Sequence, residues 1–272
     1  MKLTACLSEK PWGQVDVPAQ HGGLLRKRIG EVAFRHPAGV EMPVLVKYLY
    51  TSERLSIQVH PDNTQAQAAG YPCGKDEMWI VLDAEPGATI GLGLKRECEP
   101  ACFAAAVLDG SVVDLIDWKP VRRGDVIYNS AGTIHAAGGG LVLLEVQQSL
   151  DLTYRLFDYG RPRELHLEEG LRVSRFGRHD GSRDCSIADG SSRVLADGPY
   201  FGSAWCAGGL PTGLPSSRDW QLVVVSGTVR HQGESYQAGQ AFHSTTLAGL
   251  ELPADSELLL AWPVQEAMAQ AA

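Results

Sequence analysis

Four side chains in the first half of the 272-residue sequence have the types and spacing to gather around one cation. Gln58 and His60 lie two apart in LSIQVHP, within a β-type run over 45–59 rich in Val, Leu, Tyr and Ile. Side chains alternate faces along a strand, so residues two apart point the same way. Pro61 lacks an N–H and ends the ladder behind them. A Q-x-H pair standing alone is more often a hydrogen-bonded or surface pair than a metal site. It gains weight only when neighbouring strands add ligands. Two segments offer them: Glu77 in KDEMWIVL and His135 in SAGTIHAAGGG.

The elements that must position these residues read mainly as strands. Residues 1–44 carry turn signals at Pro11-Trp12-Gly13, Gly22-Gly23 and Pro37-Ala38-Gly39, which predict short strands and loops. Residues 45–60 predict a strand region with a break available at Thr51-Ser52-Glu53. Residues 61–74 predict a loop with one or two helical turns within 63–69. Residues 77–94 predict two strands joined at Glu85-Pro86-Gly87. In 96–118, Phe103, Ala106 and Val107 stand at helical spacing and Gly110 is a stop. Val112, Val113, Leu115 and Ile116 follow as a second short helix. This helical insertion is expected to cap an open barrel end. Residues 121–148 return to strands, with turns at Gly124-Asp125, Ala131-Gly132 and Gly138-Gly139-Gly140. Many short strands with Gly turns favour an antiparallel barrel or sandwich.

The stretch 151–178 is the most charged and is expected to link two domains, with a short helix over 167–173. From 181 onward, QLVVVSGTVR, HQGESYQAGQAF and LELPADSELLLAWP predict a second β unit of the same kind. It lacks a ligand set, because His231 and His243 stand alone. The tail VQEAMAQAA is expected to be frayed or to form a short helical turn. The expected division is a catalytic unit over 1–160, a linker over 161–180 and a ligand-poor unit over 181–272.

Composition narrows the function classes. A hydrophobic content of 44% and a charged content of 21% are ordinary for a soluble globular protein. The net charge of -8 argues against nucleic acid as a partner. It leaves room for a phosphorylated small molecule, which one or two local cations can hold. No apolar run is long enough to cross a bilayer. Leu3-Thr4-Ala5-Cys6 has no apolar region before it to serve a lipoprotein signal. The expectation is a cytoplasmic protein with no membrane partner. The six cysteines, Cys6, Cys73, Cys98, Cys102, Cys185 and Cys206, form no C-x-x-C pair and read as free thiols.

The segment from Gly124 through Gly132 to His135 resembles the second metal motif of the cupins, departing at Ser130 (Pro in the family) and Gly139 (Asn in the family). The first motif has Gln58-Val59-His60 instead of His-x-His, a substitution typical of one branch. The chain resembles the class I mannose-6-phosphate isomerases of the short bacterial kind. The match runs from KPWG at 10–13 through LSIQVHPD, GKDEMWIVL and AGTIHA to LLEVQQSLDLTYRLFDYGRPRELHLE. It covers about the first two-thirds of the chain well and the last third as a general pattern.

The resemblance implies a mainly β fold of two cupin-like, jelly-roll barrels with the helical insertion at about 96–118. It implies metal-dependent interconversion of mannose 6-phosphate and fructose 6-phosphate by proton transfer through an enediolate. Gln58, His60, Glu77 and His135 are then the metal ligands. With one anionic ligand they keep a divalent ion net positive and leave room for water or substrate, which suits a catalytic site. The N and O donors suit zinc, one ion per chain, and also admit Mn, Fe, Co or Ni. Lys47, Lys75, Glu145 and Arg155 carry over as catalytic residues. Arg155 and Lys75 are the substrate-binding pair, Arg155 for phosphate or sugar positioning and Lys75 for the enediolate oxygen or phosphate. Glu145 is the candidate for proton transfer, with His60 or a metal-held water competing for that role. Lys75 should share a face with Glu77, and Glu145 with Leu143 and Gln147. Lys47 stands at an odd offset from Gln58, so the two share a pocket only if 51–53 resets the register. A metal-binding cupin of other chemistry, such as an oxygenase, and a non-catalytic sugar-phosphate binder are the alternatives. Oligomeric state stays open.

Overall fold

Alternation along the strands decides the architecture. The computed structural model describes residues 1–216 and 219–264, so the expectation for the tail, 265–272, lies outside the described residues. In the first half the strands are β1 (Thr4–Gln14), β2 (Ile29–Arg35), β3 (Val44–Thr51), β4 (Ile57–Val59), β5 (Glu77–Ala84), β6 (Thr89–Leu94), β7 (Ile116–Pro120), β8 (Asp125–Asn129), β9 (His135–Ala137), β10 (Leu141–Gln148) and β11 (Tyr154–Phe157). The helices are α1 (Asn63–Ala68), α2 (Pro100–Asp109), α3 (Val112–Leu115) and α4 (Leu167–Val173). In the second half come β12 (Cys185–Ser186), β13 (Arg193–Asp197), β14 (Phe201–Ala207), β15 (Trp220–Ser226), β16 (Thr228–His231), β17 (Glu234–Gln237), β18 (Ala241–Ser244), β19 (Leu250–Glu251) and β20 (Glu257–Pro263).

These strands make four sheets. One has seven strands in the order β1-β2-β3-β10-β5-β8-β12, and five strands in the order β11-β4-β9-β6-β7 face it. A second pair has the orders β13-β14-β20-β15-β18 and β17-β16-β19. Among the described residues no continuous ladder closes either pair into a barrel, so the expected barrels are seen as facing open sheets.

The strand β5 shows how the layers stack. Met78, Ile80 and Leu82 turn to one face and join Val46, Leu144 and, from the second half, Phe201, Trp205 and Leu259. Trp79 and Val81 turn to the other face and meet Leu49, Leu143, Ile90, Leu92 and Ala137 between the seven- and five-stranded sheets. Both faces are therefore covered, and a strand covered on both faces reads as a continuous apolar run. Met78, Trp79, Ile80 and Val81 are each 0% exposed. Burying each such side chain favours the fold by about 1.5–3 kcal/mol. A further core of Leu222, Val229, Phe242 and Leu260 fills the space between the two sheets of the second half.

The run 45–60 breaks where the sequence left a break available, and the reading of the insertion is corrected. The chain leaves the seven-stranded sheet at Thr51 and enters the facing sheet at Ile57. The helical insertion ends at Leu115, and Ile116 to Trp118 belong to β7, which pairs with β6. Nor does the insertion plug an end between the sheets. Phe103, Ala106, Val107 and Val112 pack with Ile57, Val59, Leu94 and Ala136, on the side of the five-stranded sheet opposite Gln58. The apolar stripe of α2 needs an apolar surface, and that outer face supplies one. The short helix α1 forms where the loop was expected to turn helical. Asp62 accepts from the Gln65 N–H while the Gln65 side chain reaches back to the Asp62 N–H. The helix α4 spans the residues expected, with Gly170 packed on Leu156.

Candidate active site and metal centre

The inward faces of the first sheet pair change character along each strand. In β3 the inward residue after Leu49, moving toward the strand start, is Lys47. In β10 it is Glu145 after Leu143. In β5, Val81 and Trp79 give way to Glu77, and in β9, Ala137 gives way to His135. Leu49, Leu143, Val81, Trp79 and Ala137 all belong to the apolar core. One end of the sandwich is thus hydrocarbon and the other is ionisable, through a shift of two residues per strand.

At the polar end, ligand atoms of His60, Glu77 and His135 lie within 4.8 Å of one another. The three residues are 1%, 0% and 1% exposed. Glu77 Oε1 is 3.2 Å from His135 Nε2, and Glu77 Oε2 is 3.3 Å from His60 Nε2. Ligand atoms about 2.0–2.1 Å from one tetrahedral ion lie about 3.4 Å apart, so these separations suit a divalent metal. The ring tautomers suit it too. His60 Nδ1 donates to the Leu152 carbonyl (2.9 Å) and His135 Nδ1 to the Thr133 carbonyl (2.8 Å). A carbonyl only accepts, so each Nδ1 carries a proton, and Nε2, the ring atom that faces Glu77, is the one placed to ligate.

A cation already stands beside the trio. Lys75 Nζ is 3.0 Å from Glu77 Oε2 and 3.2 Å from His60 Nε2. Burial works against the Lys75 ammonium, but Glu77 and then Glu145 outweigh it and raise its pKa. Burial likewise opposes ionised Glu77, yet the Lys75 ammonium above all holds its carboxyl well below the usual range. Burial first, and Lys75 second, push His60 down to about 3, so its ring is neutral and available as a ligand at ordinary pH.

Gln58 reaches the same place, with its Nε2 3.3 Å from His135 Nε2 and its oxygen accepting from Ser56 Oγ (3.1 Å). A ligand role needs the amide turned the other way, oxygen inward, a rotation that exchanges two nearly isosteric ends. Lys47 and Glu145 are direct partners in the β3–β10 ladder, and Lys47 Nζ is 3.6 Å from Glu145 Oε1. Arg155 is opposite Gln58 in the β11–β4 ladder, and its Nη1 donates to the Glu164 carbonyl (2.7 Å). Lys47, Gln58, Lys75, Glu145 and Arg155 all line one cavity of about 340 Å³. That is at the small end of the range for small-molecule sites. Gln58 and Lys75 border the cavity and also touch the trio, so the trio lies directly behind this part of the cavity wall.

All eight residues singled out in the sequence therefore converge. Lys47 does so because the break before β4 carries the chain to the facing sheet, so that Lys47 and Gln58 look inward from opposite walls. Sequence reasoning missed three neighbours. Asn129 Nδ2 donates to Glu77 Oε1 (2.9 Å) from the facing position in β8. Trp79 Nε1 donates to Glu145 Oε2 (2.9 Å). Asp76 points the opposite way from Glu77, accepting from Tyr128 Oη (2.8 Å) and the Ala131 N–H (2.9 Å), and so ties β5 to the turn before His135. Only Trp79 had a local signal, two residues beyond Glu77 on the same face. Among the described residues the second half adds nothing comparable. His231 Nε2 pairs with Ser244 Oγ (2.8 Å), and His243 Nε2 with Asp219 Oδ1 (2.7 Å). All six cysteines are unpaired.

No protein-family model matches the chain. A mannose-6-phosphate isomerase of Streptococcus mutans is 35% identical over 167 residues, which are 58% of this chain and 52% of that protein. The probable mannose-6-phosphate isomerase GmuF of Bacillus subtilis is 30% identical over 224 residues, 77% of this chain and 70% of that protein. The chain thus spans about half the length of the Streptococcus relative and more than two-thirds of GmuF. The structure of mannose 6-phosphate isomerase from Bacillus subtilis superposes with a TM-score of 0.77 at 22% identity, covering 96% of this chain and 98% of that one. A variant of phosphomannose isomerase from Salmonella typhimurium gives 0.71 at 15% identity, covering 96% and 99%. These structures share the fold, and with most of its length aligned to GmuF the chain belongs to the mannose-6-phosphate isomerase family.

Proposed function

We propose that the protein interconverts mannose 6-phosphate and fructose 6-phosphate with one divalent ion, zinc, held by Gln58, His60, Glu77 and His135. The observation that carries this reading is the placement of the Lys47–Glu145 pair and Arg155 around a cavity that Gln58 and Lys75 connect to the His60–Glu77–His135 trio.

The reaction moves a proton between adjacent carbons, one of them beside a carbonyl. Its transition state puts negative charge on oxygen and needs a base that keeps the proton in transit. When bound, the ion supplies Lewis-acid charge for that oxygen. Glu145 takes the proton from one carbon and returns it to the other. Lys75, at the border between trio and cavity, stabilises the enediolate oxygen. Lys47 keeps a positive charge beside the Glu145 carboxylate. Arg155 anchors the phosphate, since a guanidinium makes paired hydrogen bonds to such oxygens. Residues 1–160 form the catalytic unit and 181–272 a ligand-poor β unit, joined through 161–180. The cytoplasm is the proposed location, and a soluble sugar phosphate is the partner.

The test is a coupled assay on mannose 6-phosphate, before and after chelation and zinc readdition. Activity that vanishes with chelator and returns with zinc supports the proposal. A folded, metal-loaded sample with no turnover refutes it. Oxygen consumption on a non-phosphorylated substrate, or sugar-phosphate binding without turnover, would put one of the two alternative cupin functions in its place.

A further inference from the structure

Trp79 touches two functional groups at once. Its indole N–H donates to Glu145 Oε2 at 2.9 Å, from the directly opposing position in the β5–β10 ladder. Its ring stands edge-on to His135, with centroids 5.4 Å apart and planes at 76°. Trp79 is 0% exposed and Glu145 4% exposed, so no bulk water competes for the contact. The other carboxylate oxygen, Glu145 Oε1, accepts no hydrogen bond and faces Lys47.

Packing alone does not ask for this residue. Leu49, Val81, Leu143 and Ile127 complete the same core as plain hydrocarbon, with no N–H among their side chains. What tryptophan adds is a single donor fixed in the ring plane, able to donate and never to accept. That donor pins one oxygen of a carboxylate whose terminal torsion is otherwise broad, leaving the second oxygen unbonded in a residue that lines the cavity.

We propose that Trp79 is a positioning residue for proton transfer: its N–H holds Glu145 Oε2 so that Oε1 is presented to the substrate carbons. The proposal rests on the reading of Glu145 as the proton-carrying group. A carboxylate free to rotate still binds no worse to the sugar phosphate but spends less time in the reactive geometry, so the cost falls on kcat and spares KM.

The test compares wild type, Trp79→Phe, Glu145→Gln and the double variant, all zinc-loaded, on mannose 6-phosphate and on its 2-deuterio form. Trp79→Phe should lower kcat about tenfold to a hundredfold, the range commanded by a hydrogen bond to a charged group. KM and zinc content should stay at wild-type values, and the deuterium isotope effect on kcat should be at least as large as in wild type. In the Glu145→Gln background the same substitution should cost less than about twofold, because the group it orients is gone. Should Trp79→Phe fail to fold, site-specific replacement of Trp79 by benzothienylalanine keeps the bicyclic shape and puts sulfur where the N–H stood. The same loss in kcat is expected from it. Unchanged kcat, loss of zinc alongside activity, a smaller isotope effect, or an undiminished effect in the Glu145→Gln background would overturn the proposal. Inactive zinc-loaded wild type would instead refute the isomerase reading on which it rests.

Discussion

Replacing Lys75 by methionine isolates the role of the ammonium beside Glu77 and His60. The change keeps most of the side-chain volume and removes the charge 3.0 Å from Glu77 Oε2 and 3.2 Å from His60 Nε2. At an effective dielectric of about 20, unit charges 3 Å apart attract by about 5–6 kcal/mol. Desolvation of a lysine that is only 4% exposed cancels part of that gain. Removing one partner of a buried pair costs about 3–5 kcal/mol, because the other charge is left uncompensated. Each kcal/mol moves Tm by about 2–4 °C in chains approaching this size. The metal-free Lys75→Met protein should therefore melt about 6–20 °C below metal-free wild type. Zinc should raise the Tm of the variant more than that of wild type. In the variant the ion neutralises a bare Glu77, and in wild type it must compete with an ammonium already in place.

The pH dependence follows from the same pair. In wild type the Glu77 carboxyl sits well below its usual range, the opposing effect of burial being outweighed by Lys75 first. Its stabilisation is present above the unfolded value, about 4.3, and is lost as pH falls through the depressed folded value. Without Lys75 the burial of Glu77 is less opposed and its carboxyl rises. The deficit of the variant should accordingly shrink in acid, where the raised carboxyl of the variant takes up a proton and no longer stands as a bare buried charge, and grow toward neutral pH. The assay is thermal melting of chelator-treated wild type and variant near pH 5 and near pH 8, with and without zinc, beside metal analysis of each sample. A metal-free variant that melts within about 2 °C of wild type near pH 8, or zinc raising both proteins by the same interval, would refute the argument.

Glu145→Gln keeps the shape of the side chain and the acceptor for Trp79 but cannot carry a proton, so turnover in the coupled assay should fall about a hundredfold to ten-thousandfold. Zinc content should not change, and full activity in Glu145→Gln would remove Glu145 from the mechanism. Asn129→Ala deletes the donor to Glu77 Oε1 and should weaken zinc affinity about tenfold to a hundredfold in a chelator competition. Unaltered affinity would show that the neighbouring histidines fix Glu77 unaided. Arg155→Ala should raise KM for mannose 6-phosphate about tenfold to a hundredfold and weaken competitive inhibition by inorganic phosphate in parallel. A change in kcat with KM intact would contradict the assignment of Arg155 to the phosphate.

What the sequence disclosed of this site, and what it withheld, divides along one physical line. The face a side chain takes is a local property. Period-two alternation therefore put Gln58 with His60 and Lys75 with Glu77, and these look inward although His60 and Lys75 lie just outside the regular strands. The partner across a ladder is not local. Glu77 meets Asn129 and Glu145 meets Trp79 because the order β10-β5-β8 brings 52 and 66 residues of chain separation to nothing. No pattern within either segment records that order. Lys47 is the instructive case, since its parity with Gln58 is wrong for one strand and right for two facing sheets. The five residues after Thr51 carry the chain from one wall to the other. The helical insertion obeys the same division: spacing gave the stripe Phe103, Ala106 and Val107, but only the outward-facing Ile57 and Val59 decide where that stripe must lie. The same reasoning explains why KDEMWIVL carries both a continuous apolar run and a chemical residue. Its two faces serve different cores, and the inward face runs from Val81 through the indole of Trp79 to Glu77 with no change of strand. Trp79, which donates to Glu145, and Glu77, which faces the two histidines, are thus set at a fixed spacing by one stretch of pleated backbone.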